Sequence, residues 1–129
     1  MRLFEIPRRD IVAFDSVGVT MDFLPPVAGR TGVHVAHLAA GGTLGRHPAV
    51  DAQVFAVLSG EGEVQAGDAR SCPVGPGVLV VWEAGEVHQT WAITDLTALI
   101  VETSTLPALP PDFRELPTTG PAPGISPAR

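Results

Sequence analysis

The stretch "GGTLGRHPAVDAQVFAVLSGEGEV" spans residues 41–64 and decides how the remainder of the chain is interpreted. In this stretch His47 follows a loop that contains several glycines. Gln53 begins an apolar run that ends at Gly60. Short apolar runs bounded by glycine are typical of β-strands joined by tight turns. Two interpretations follow from this pattern: a metal site with ligands missing, or a hairpin whose histidine has no chemical role.

The same pattern recurs through the first hundred residues, where glycine and proline separate short runs rich in β-branched residues. These runs are mostly too short for helices and predict strands. The predicted strands cover residues 11–14, 19–24, 32–39, 52–58, 62–65, 78–82, 87–93 and 96–102. About eight short strands at this spacing indicate an all-β sandwich or barrel.

Composition and charge exclude several classes of protein. The 129 residues fit one domain, and the formal net charge of -6 argues against binding of nucleic acid or of an anionic membrane surface. Cys72 is the only cysteine, so we expect neither a disulfide nor a Cys-based zinc cluster, and we interpret it as structural. The sequence shows no apolar run of membrane-spanning length and no secretory signal, which predicts a cytoplasmic protein.

The composition changes at Ser104, and residues 104–129 hold seven of the chain's 13 prolines. We therefore divide the chain into a barrel over residues 1–103 and a Pro-rich C-terminal arm or tail over residues 104–129. Residues 110–116 predict one helical turn. Two interpretations stay open for the remainder: a disordered tail, or an arm laid across its own barrel or a partner. The arm would be anchored by Leu106, Leu109, Phe113 and Leu116.

The opening stretch resembles the first signature of the cupin family. That signature is Gly, five residues, His-x-His, three or four residues, Glu, six residues, Gly. This sequence has Gly41, five residues, His47-Pro48-Ala49, three residues, Gln53, six residues and Gly60. Every spacing of the signature is therefore kept, although two of its residue types are changed.

A second stretch resembles the other cupin signature, which is Gly, five residues, Pro-x-Gly, two residues, His, three residues, Asn. Here Gly77 is followed at the same spacings by Glu83-Ala84-Gly85, His88 and Ala92. The two matches are similar to small single-domain bacterial cupins with altered metal-binding signatures. The resemblance implies an all-β, cupin-type double-stranded β-barrel (jelly roll), here followed by the Pro-rich arm.

Cupins usually hold a divalent metal with two histidines and a glutamate of the first signature and the histidine of the second. Carried over by position, His47 and His88 remain, whereas Ala49 replaces a histidine and Gln53 replaces the glutamate. An ion at His47, Gln53 and His88 would meet three neutral ligands, and loss of the carboxylate weakens binding. We therefore expect a divalent metal such as Zn, Fe, Mn or Ni to be weakly held or absent.

Strand parity suggests which other residues accompany these ligands. Glu86 shares the parity of His88, so it is a candidate third metal ligand; the alternative is a surface turn. His34 and His37 are three residues apart, so at most one of them can join the site. We interpret Trp82 as a core or rim residue and expect Trp91 to point outward. The predicted ligand-binding residues are His47, Gln53, Phe55, Val57, His88 and Thr90.

Three hypotheses for function remain open at this point. The first is a cupin that binds a small polar or acidic molecule at a degenerate metal site formed by His47, Gln53 and His88. The second is a metal-dependent dioxygenase, isomerase or lyase that acts on a small metabolite. The third is a non-catalytic dimeric scaffold or sensor. In each case the resemblance implies a homodimer, which would cover an exposed sheet edge.

Overall fold

The computed structural model describes residues 1–118, which form an all-β structure. Its strands are β1 (Arg2–Glu5), β2 (Arg8–Asp10), β3 (Thr20–Asp22), β4 (Ala28–Leu38), β5 (Thr43–Pro48), β6 (Ala52–Ser59), β7 (Gly62–Ala66), β8 (Cys72–Val74), β9 (Val78–Trp82), β10 (Val87–Ala92), β11 (Leu96–Thr105) and β12 (Glu115–Leu116). A tight turn at Ala13–Asp15, in which Phe14 has non-helical φ and ψ angles, is the one segment of helical type in this range. The all-β prediction is therefore confirmed.

Two antiparallel sheets face each other and form the barrel. The larger sheet has the order β12-β1-β9-β6-β11-β4, and the smaller has the order β5-β10-β7-β8. Phe55, Val80 and Trp82 of the larger sheet pack against Val64 and Ala92 of the smaller in one buried cluster. We call this cluster the inner core, and it follows from the alternation of apolar side chains along each strand.

A second buried cluster covers the outside of the larger sheet. Val54, Ala56 and Val101 are covered there by Phe4, from the N-terminal strand, and Phe113, from the C-terminal segment. Strand β6 is therefore buried on both faces, which explains why its sequence is a continuous apolar run and does not alternate. We call this second cluster the outer core.

The C-terminal segment packs on its own barrel as far as residue 118. Leu106, Leu109 and Phe113 contact the outer core and Leu116 contacts the inner core, so all four expected anchors are used. The Sγ of Cys72 donates to the carbonyl oxygen of Thr118 at 3.0 Å. The remainder of the predicted arm, residues 119–129, lies outside the described residues.

The helical turn predicted over residues 110–116 is wrong. The amide of Phe113 closes a turn on the carbonyl of Pro110 at 3.0 Å, and β12 then pairs with the edge of β1. The amide of Glu5 also donates to the carbonyl of Arg114 at 2.8 Å. The unpaired edge of β1 thus offers the segment backbone hydrogen bonds that outweigh its weak helical preference.

The predicted strands agree best with the structure where they lie in the sheet centres. Strand β9 matches its prediction exactly in extent, whereas the strand predicted over residues 11–14 is wrong. Phe14 and Asp15 there have φ angles of 61° and 57°, which a strand cannot accommodate. Strands β1, β2, β5, β8 and β12 were not predicted, because they are short, polar or interrupted by proline.

Replacement of Phe113 tests whether the C-terminal segment stabilises its own barrel. Phe113 is 6% exposed in the outer core, so Phe113→Ala should lower the free energy of unfolding by about 3 kcal/mol or more. The matched control is Val50→Ala, at a side chain that is 90% exposed, with an effect below about 0.5 kcal/mol. Urea unfolding followed by circular dichroism measures both, and equal stabilities would contradict the packing described here.

Candidate functional site

Two histidines from neighbouring strands meet at the rim of the inner core. His47 on β5 and His88 on β10 are direct cross-strand partners, and their ring centroids lie 4.5 Å apart with planes tilted by 54°. His88 is 4% exposed, whereas His47 is exposed to solvent. The pairing places one imidazole inside the barrel and the other at its opening.

Backbone hydrogen bonds fix the tautomers of both rings. The Nδ1 of His47 lies 2.6 Å from the carbonyl oxygen of Gly45, and the Nδ1 of His88 lies 3.1 Å from that of Glu86. A carbonyl oxygen can only accept, so each Nδ1 carries the proton and each neutral ring presents a lone pair at Nε2. Within residues 1–118 neither Nε2 has a hydrogen-bond partner, so both are available to a ligand.

Trp82 forms the floor of this site. Its indole stacks on His88 with centroids 4.4 Å apart and packs edge-on against Phe55 at 5.8 Å. The side chain is fully buried, yet its Nε1–H has no hydrogen-bond partner among the described residues. Because a buried unpaired donor costs free energy, this N–H is an unsatisfied group beside the histidine pair.

A polar row crosses the larger sheet beside Trp82. Gly32, Glu102, Gln53 and Trp82 are successive cross-strand neighbours on β4, β11, β6 and β9. The Nε2 of Gln53 donates to Glu102 Oε1 at 3.2 Å, which leaves the amide oxygen of Gln53 without a described partner. We call the set His47, Gln53, Trp82, His88 and Glu102 the rim cluster.

Burial keeps His88 neutral near pH 7. Removal of the ring from water lowers the pKa of His88 below its ordinary value of 6.5, and the positive charge that His47 can carry lowers it further. The hydrogen bond to the Glu86 carbonyl and the carboxylates of Glu86 and Glu102 oppose this shift without reversing it. The lone pair at Nε2 of His88 therefore persists at neutral pH.

The other predicted ligand-binding residues are more buried than the two histidines. Phe55, Val57 and Thr90 share the inner face with the histidines, as strand parity predicts, but each is at most 1% exposed. Phe55 and Val57 are members of the inner core. Their direct contact with a ligand stays a prediction. Within the rim cluster, His47 and Glu102 are exposed, whereas Gln53, Trp82 and His88 are buried.

The carboxylate of Glu86 is engaged away from the histidine pair. Its Oε2 lies 2.6 Å from the amino group of Met1, and its Oε1 accepts the amide hydrogen of Glu83 at 3.1 Å. Its role as a third metal ligand stays a prediction, and it would require these contacts to be given up. Ala49 is 6% exposed at the end of β5, where the cupin signature has a second histidine.

The remaining histidines separate as their spacing predicts. His34 pairs with Ile100, whose other neighbour is Phe55, so His34 lies on the inner face of β4. Its ring leans over Gly32, since a Cβ at Gly32 would lie 3.2 Å from His34 Nε2. His37 lies on the opposite face, with its Nδ1 3.3 Å from the Thr97 hydroxyl. Only His34 faces the site.

The residues present do not fit a tightly bound divalent metal. Within residues 1–118 no three histidine, cysteine, aspartate or glutamate side chains are close enough together to hold an ion. The site offers two imidazole nitrogens, at His47 and His88, and the amide oxygen of Gln53. The carboxylate of Glu102 lies beside Gln53, but within residues 1–118 it does not form a group of three ligands with the histidines. Such a set does not offset a double positive charge in a poorly solvated site.

Trp82 and Glu102 were not identified as site residues from the sequence. Trp82 was interpreted as a packing residue, and nothing in its local sequence reveals that its N–H is unsatisfied. Glu102 is the last residue of a predicted strand, so the sequence indicates which face of that strand it occupies. Its position next to Gln53, however, depends on the order of strands in the sheet. To find Glu102 from the sequence, one would have to predict that β6 pairs with β11 and in which register.

The chain belongs to the cupin family. The family model described as "Cupin domain" matches residues 34–103, which include both histidines of the rim cluster. This match confirms the family assignment made from the two signatures. The comparison with curated proteins gave no match.

Solved structures with a similar fold include proteins of different functions. A conserved protein of unknown function from Streptococcus pyogenes is 28% identical, with a TM-score of 0.53 over 60% of this chain and 65% of that one. A cupin superfamily protein from Desulfitobacterium hafniense is 14% identical, with a TM-score of 0.55 over 60% and 71%. The DMSP lyase DddQ from Ruegeria pomeroyi is 22% identical, with a TM-score of 0.54 over 59% of this chain and only 39% of the lyase. These likenesses establish the fold.

In residues 1–118 no helix has the length and apolar character needed to cross a membrane.

Tryptophan fluorescence tests the contact between Trp82 and His88. In a Trp91→Phe background the emission of Trp82 should fall as the pH is lowered, because an imidazolium stacked on an indole quenches it. The midpoint should lie below 6.5, since burial lowers the pKa of His88. His88→Gln in the same background is the control and should remove the titration. A midpoint at or above 6.5, or titration that persists in the control, would contradict this geometry.

Proposed function

We propose that the rim cluster binds a small neutral polar molecule that carries hydroxyl or N–H donors. The observation that carries this proposal is the pair of Nδ1–carbonyl hydrogen bonds, which leaves a lone pair at Nε2 of both His47 and His88. The amide oxygen of Gln53 and the carboxylate of Glu102 add further acceptors beside them. A site rich in acceptors is complementary to a ligand rich in donors.

The charge of the site favours a neutral molecule over an acidic one. An anionic group would face the two Nε2 lone pairs and the carboxylate of Glu102. Protonation of His88 would relieve this repulsion, but burial lowers the pKa of His88 and so opposes protonation at neutral pH. Of the polar or acidic ligands expected from the sequence, we therefore propose the polar class.

Trp82 supplies a complementary donor for the same ligand. Its unpaired Nε1–H would donate to an oxygen of the bound molecule, and its stacking on His88 limits the movement of that ring. The indole is fully buried, so a ligand would have to enter the barrel to reach this N–H, and the hydrogen bond formed there would relieve the cost of an unpaired donor. A ligand with both donors and an acceptor, such as a hydroxylated metabolite, would satisfy every member of the rim cluster.

A second candidate function, a metal-dependent enzyme, has one specific observation in its favour. Histidine ligands in metal sites commonly donate Nδ1–H to a carbonyl and coordinate through Nε2, as His47 and His88 are prepared to do. Against it stand the substitution of a carboxylate by Gln53 and of a histidine by Ala49. We therefore propose that metal is weakly held or absent in this protein.

Metal analysis separates these two functions. Protein purified without chelator should contain far less than one Zn, Fe, Mn or Ni ion per chain, because no three histidine, cysteine or carboxylate ligands come together within residues 1–118. The double variant Ala49→His/Gln53→Glu restores the signature ligands and should gain a stoichiometric ion. Elemental mass spectrometry measures both proteins. A tightly bound stoichiometric ion in the wild type would contradict the proposal and favour the metal-dependent enzyme.

Thermal shift measurements with defined probes test ligand binding at the rim cluster. At pH 7.5 a neutral, donor-rich probe such as erythritol should raise Tm, whereas succinate should not. The shift should be lost in His47→Ala and kept in His37→Ala, the control on the outer face. Trp82→Phe should weaken binding about fivefold, the loss expected for one hydrogen bond. Stabilisation by succinate alone would contradict the neutral class of ligand, and no stabilisation by any probe would favour a non-catalytic scaffold.

We also propose that two copies of the chain form a homodimer. Strand β4 is an edge of the larger sheet, and within the described residues its outer side pairs with no strand. Val33 and Val35 on this strand are 58% and 54% exposed. An exposed apolar edge of this length is normally covered, and a second copy would cover it symmetrically.

The cytoplasmic location expected from the sequence stays a prediction.

A further inference from the structure

A single row of residues connects the rim cluster to the edge of the larger sheet. Trp82, Gln53, Glu102 and Gly32 are successive cross-strand neighbours on β9, β6, β11 and β4. Neighbouring strands lie about 4.8 Å apart, so the row crosses the sheet over about 14 Å. This span is longer than a compact polar molecule and comparable to two linked sugar rings.

Exposure to solvent increases along this row. Trp82 and Gln53 are 0% and 8% exposed at the inner end, whereas Gly32 is half-buried and Glu102 is exposed. The inner end of the row therefore lies inside the barrel, and the outer end is open. A molecule held by the buried, unpaired N–H of Trp82 could follow the row outwards past Gln53 and Glu102.

His34 adds an imidazole at the outer end of the row. It lies on the inner face of β4, two residues after Gly32, and it is exposed. A Cβ at Gly32 would lie 3.2 Å from the Nε2 of His34, so the ring occupies the space that a side chain at position 32 would fill. That space lies next to the cross-strand position of Glu102. Within residues 1–118 the ring of His34 has no hydrogen-bond partner.

The row carries hydrogen-bonding atoms along its length that no described residue satisfies. The Nε1–H of Trp82 and the amide oxygen of Gln53 are unpaired at the inner end. Glu102 accepts from Gln53 with Oε1, which leaves its Oε2 without a partner within residues 1–118. A neutral imidazole donates from one nitrogen and accepts at the other, so His34 suits a hydroxyl group, which does both. A molecule with hydroxyl groups at repeated intervals would satisfy the whole series.

We infer that the binding site continues from the rim cluster through Glu102 to His34 and takes an extended neutral molecule with hydroxyl groups along its length, such as a disaccharide. This inference rests on the proposed function and names its class of ligand. Trp82 holds the inner end of the molecule. His34 is a specificity-determining residue that contacts the outer end, and Gly32 is a positioning residue that leaves space for the His34 ring.

Calorimetric titration with a compact and an extended probe tests this inference. Erythritol spans little more than one strand interval and cellobiose at least two, so cellobiose should bind at least about tenfold more tightly, because it gains further hydrogen bonds. His34→Ala should weaken cellobiose about fivefold, the loss expected for one hydrogen bond, and leave erythritol unchanged. His34→Gln keeps a donor and an acceptor and should recover most of this loss. His37→Ala, on the opposite face, is the matched control and should change neither affinity.

Gly32→Ala tests the position of the His34 ring without removing it. The new Cβ would lie 3.2 Å from His34 Nε2, so the ring has to move away from its place beside Glu102. Cellobiose should bind severalfold more weakly to this variant, whereas erythritol binding and the circular dichroism spectrum should be unchanged. Unchanged affinity for cellobiose would remove Gly32 from the account.

Two results would overturn the extended site alone. The first is cellobiose that binds no more tightly than erythritol, because the ligand would then end at the rim cluster. The second is a His34→Ala variant that weakens both probes equally or weakens neither, because His34 would then not contact the outer end of the ligand. Binding of erythritol leaves the proposed function in place in both cases. Failure of both probes to bind the wild type would overturn the extended site and the proposed function together.

Discussion

The stacking of Trp82 on His88, directly across the β5–β10 ladder from His47, is the contact on which the site depends. It requires three strands, β5, β9 and β10, from the two sheets, so it exists only when the barrel has closed. The indole restricts His88, the backbone carbonyls fix both tautomers, and burial keeps the inner ring neutral. The chemistry of the rim cluster follows from these constraints more than from any single residue type.

The altered signatures change what this cupin can bind. Where the family pattern supplies a carboxylate, Gln53 supplies an amide whose NH₂ is bonded to Glu102 and whose oxygen has no partner within residues 1–118. Where the pattern supplies a second histidine, Ala49 supplies a methyl group that is itself buried. We propose that a site without these ligands holds a cation only weakly but keeps its hydrogen-bonding groups. This is the physical basis for a ligand of donor character at the same place in the barrel.

The sequence predicted the fold and the histidine pair well, because both depend on spacing that the chain itself carries. The distances from Gly41 to Gly60 and from Gly77 to Ala92 indicate the cupin barrel, and strand parity places His47 and His88 on one face. Glu102 required knowledge that β11 lies beside β6, which no local pattern encodes. The strand predicted near Phe14 failed because its apolar residues serve an exposed tip and not a core, so hydrophobicity was a misleading guide there.

The most direct test of this account is the tautomeric state of the two histidines, measured by long-range ¹H–¹⁵N correlation NMR on ¹⁵N-histidine-labelled protein at pH 7.5. His47→Gln and His88→Gln spectra provide the assignments. The account predicts that His88 is neutral, and that each ring in its neutral form carries its hydrogen at Nδ1 and leaves Nε2 unprotonated and unshifted by metal. A neutral ring protonated at Nε2, or a His88 that is fully charged at this pH, would contradict it.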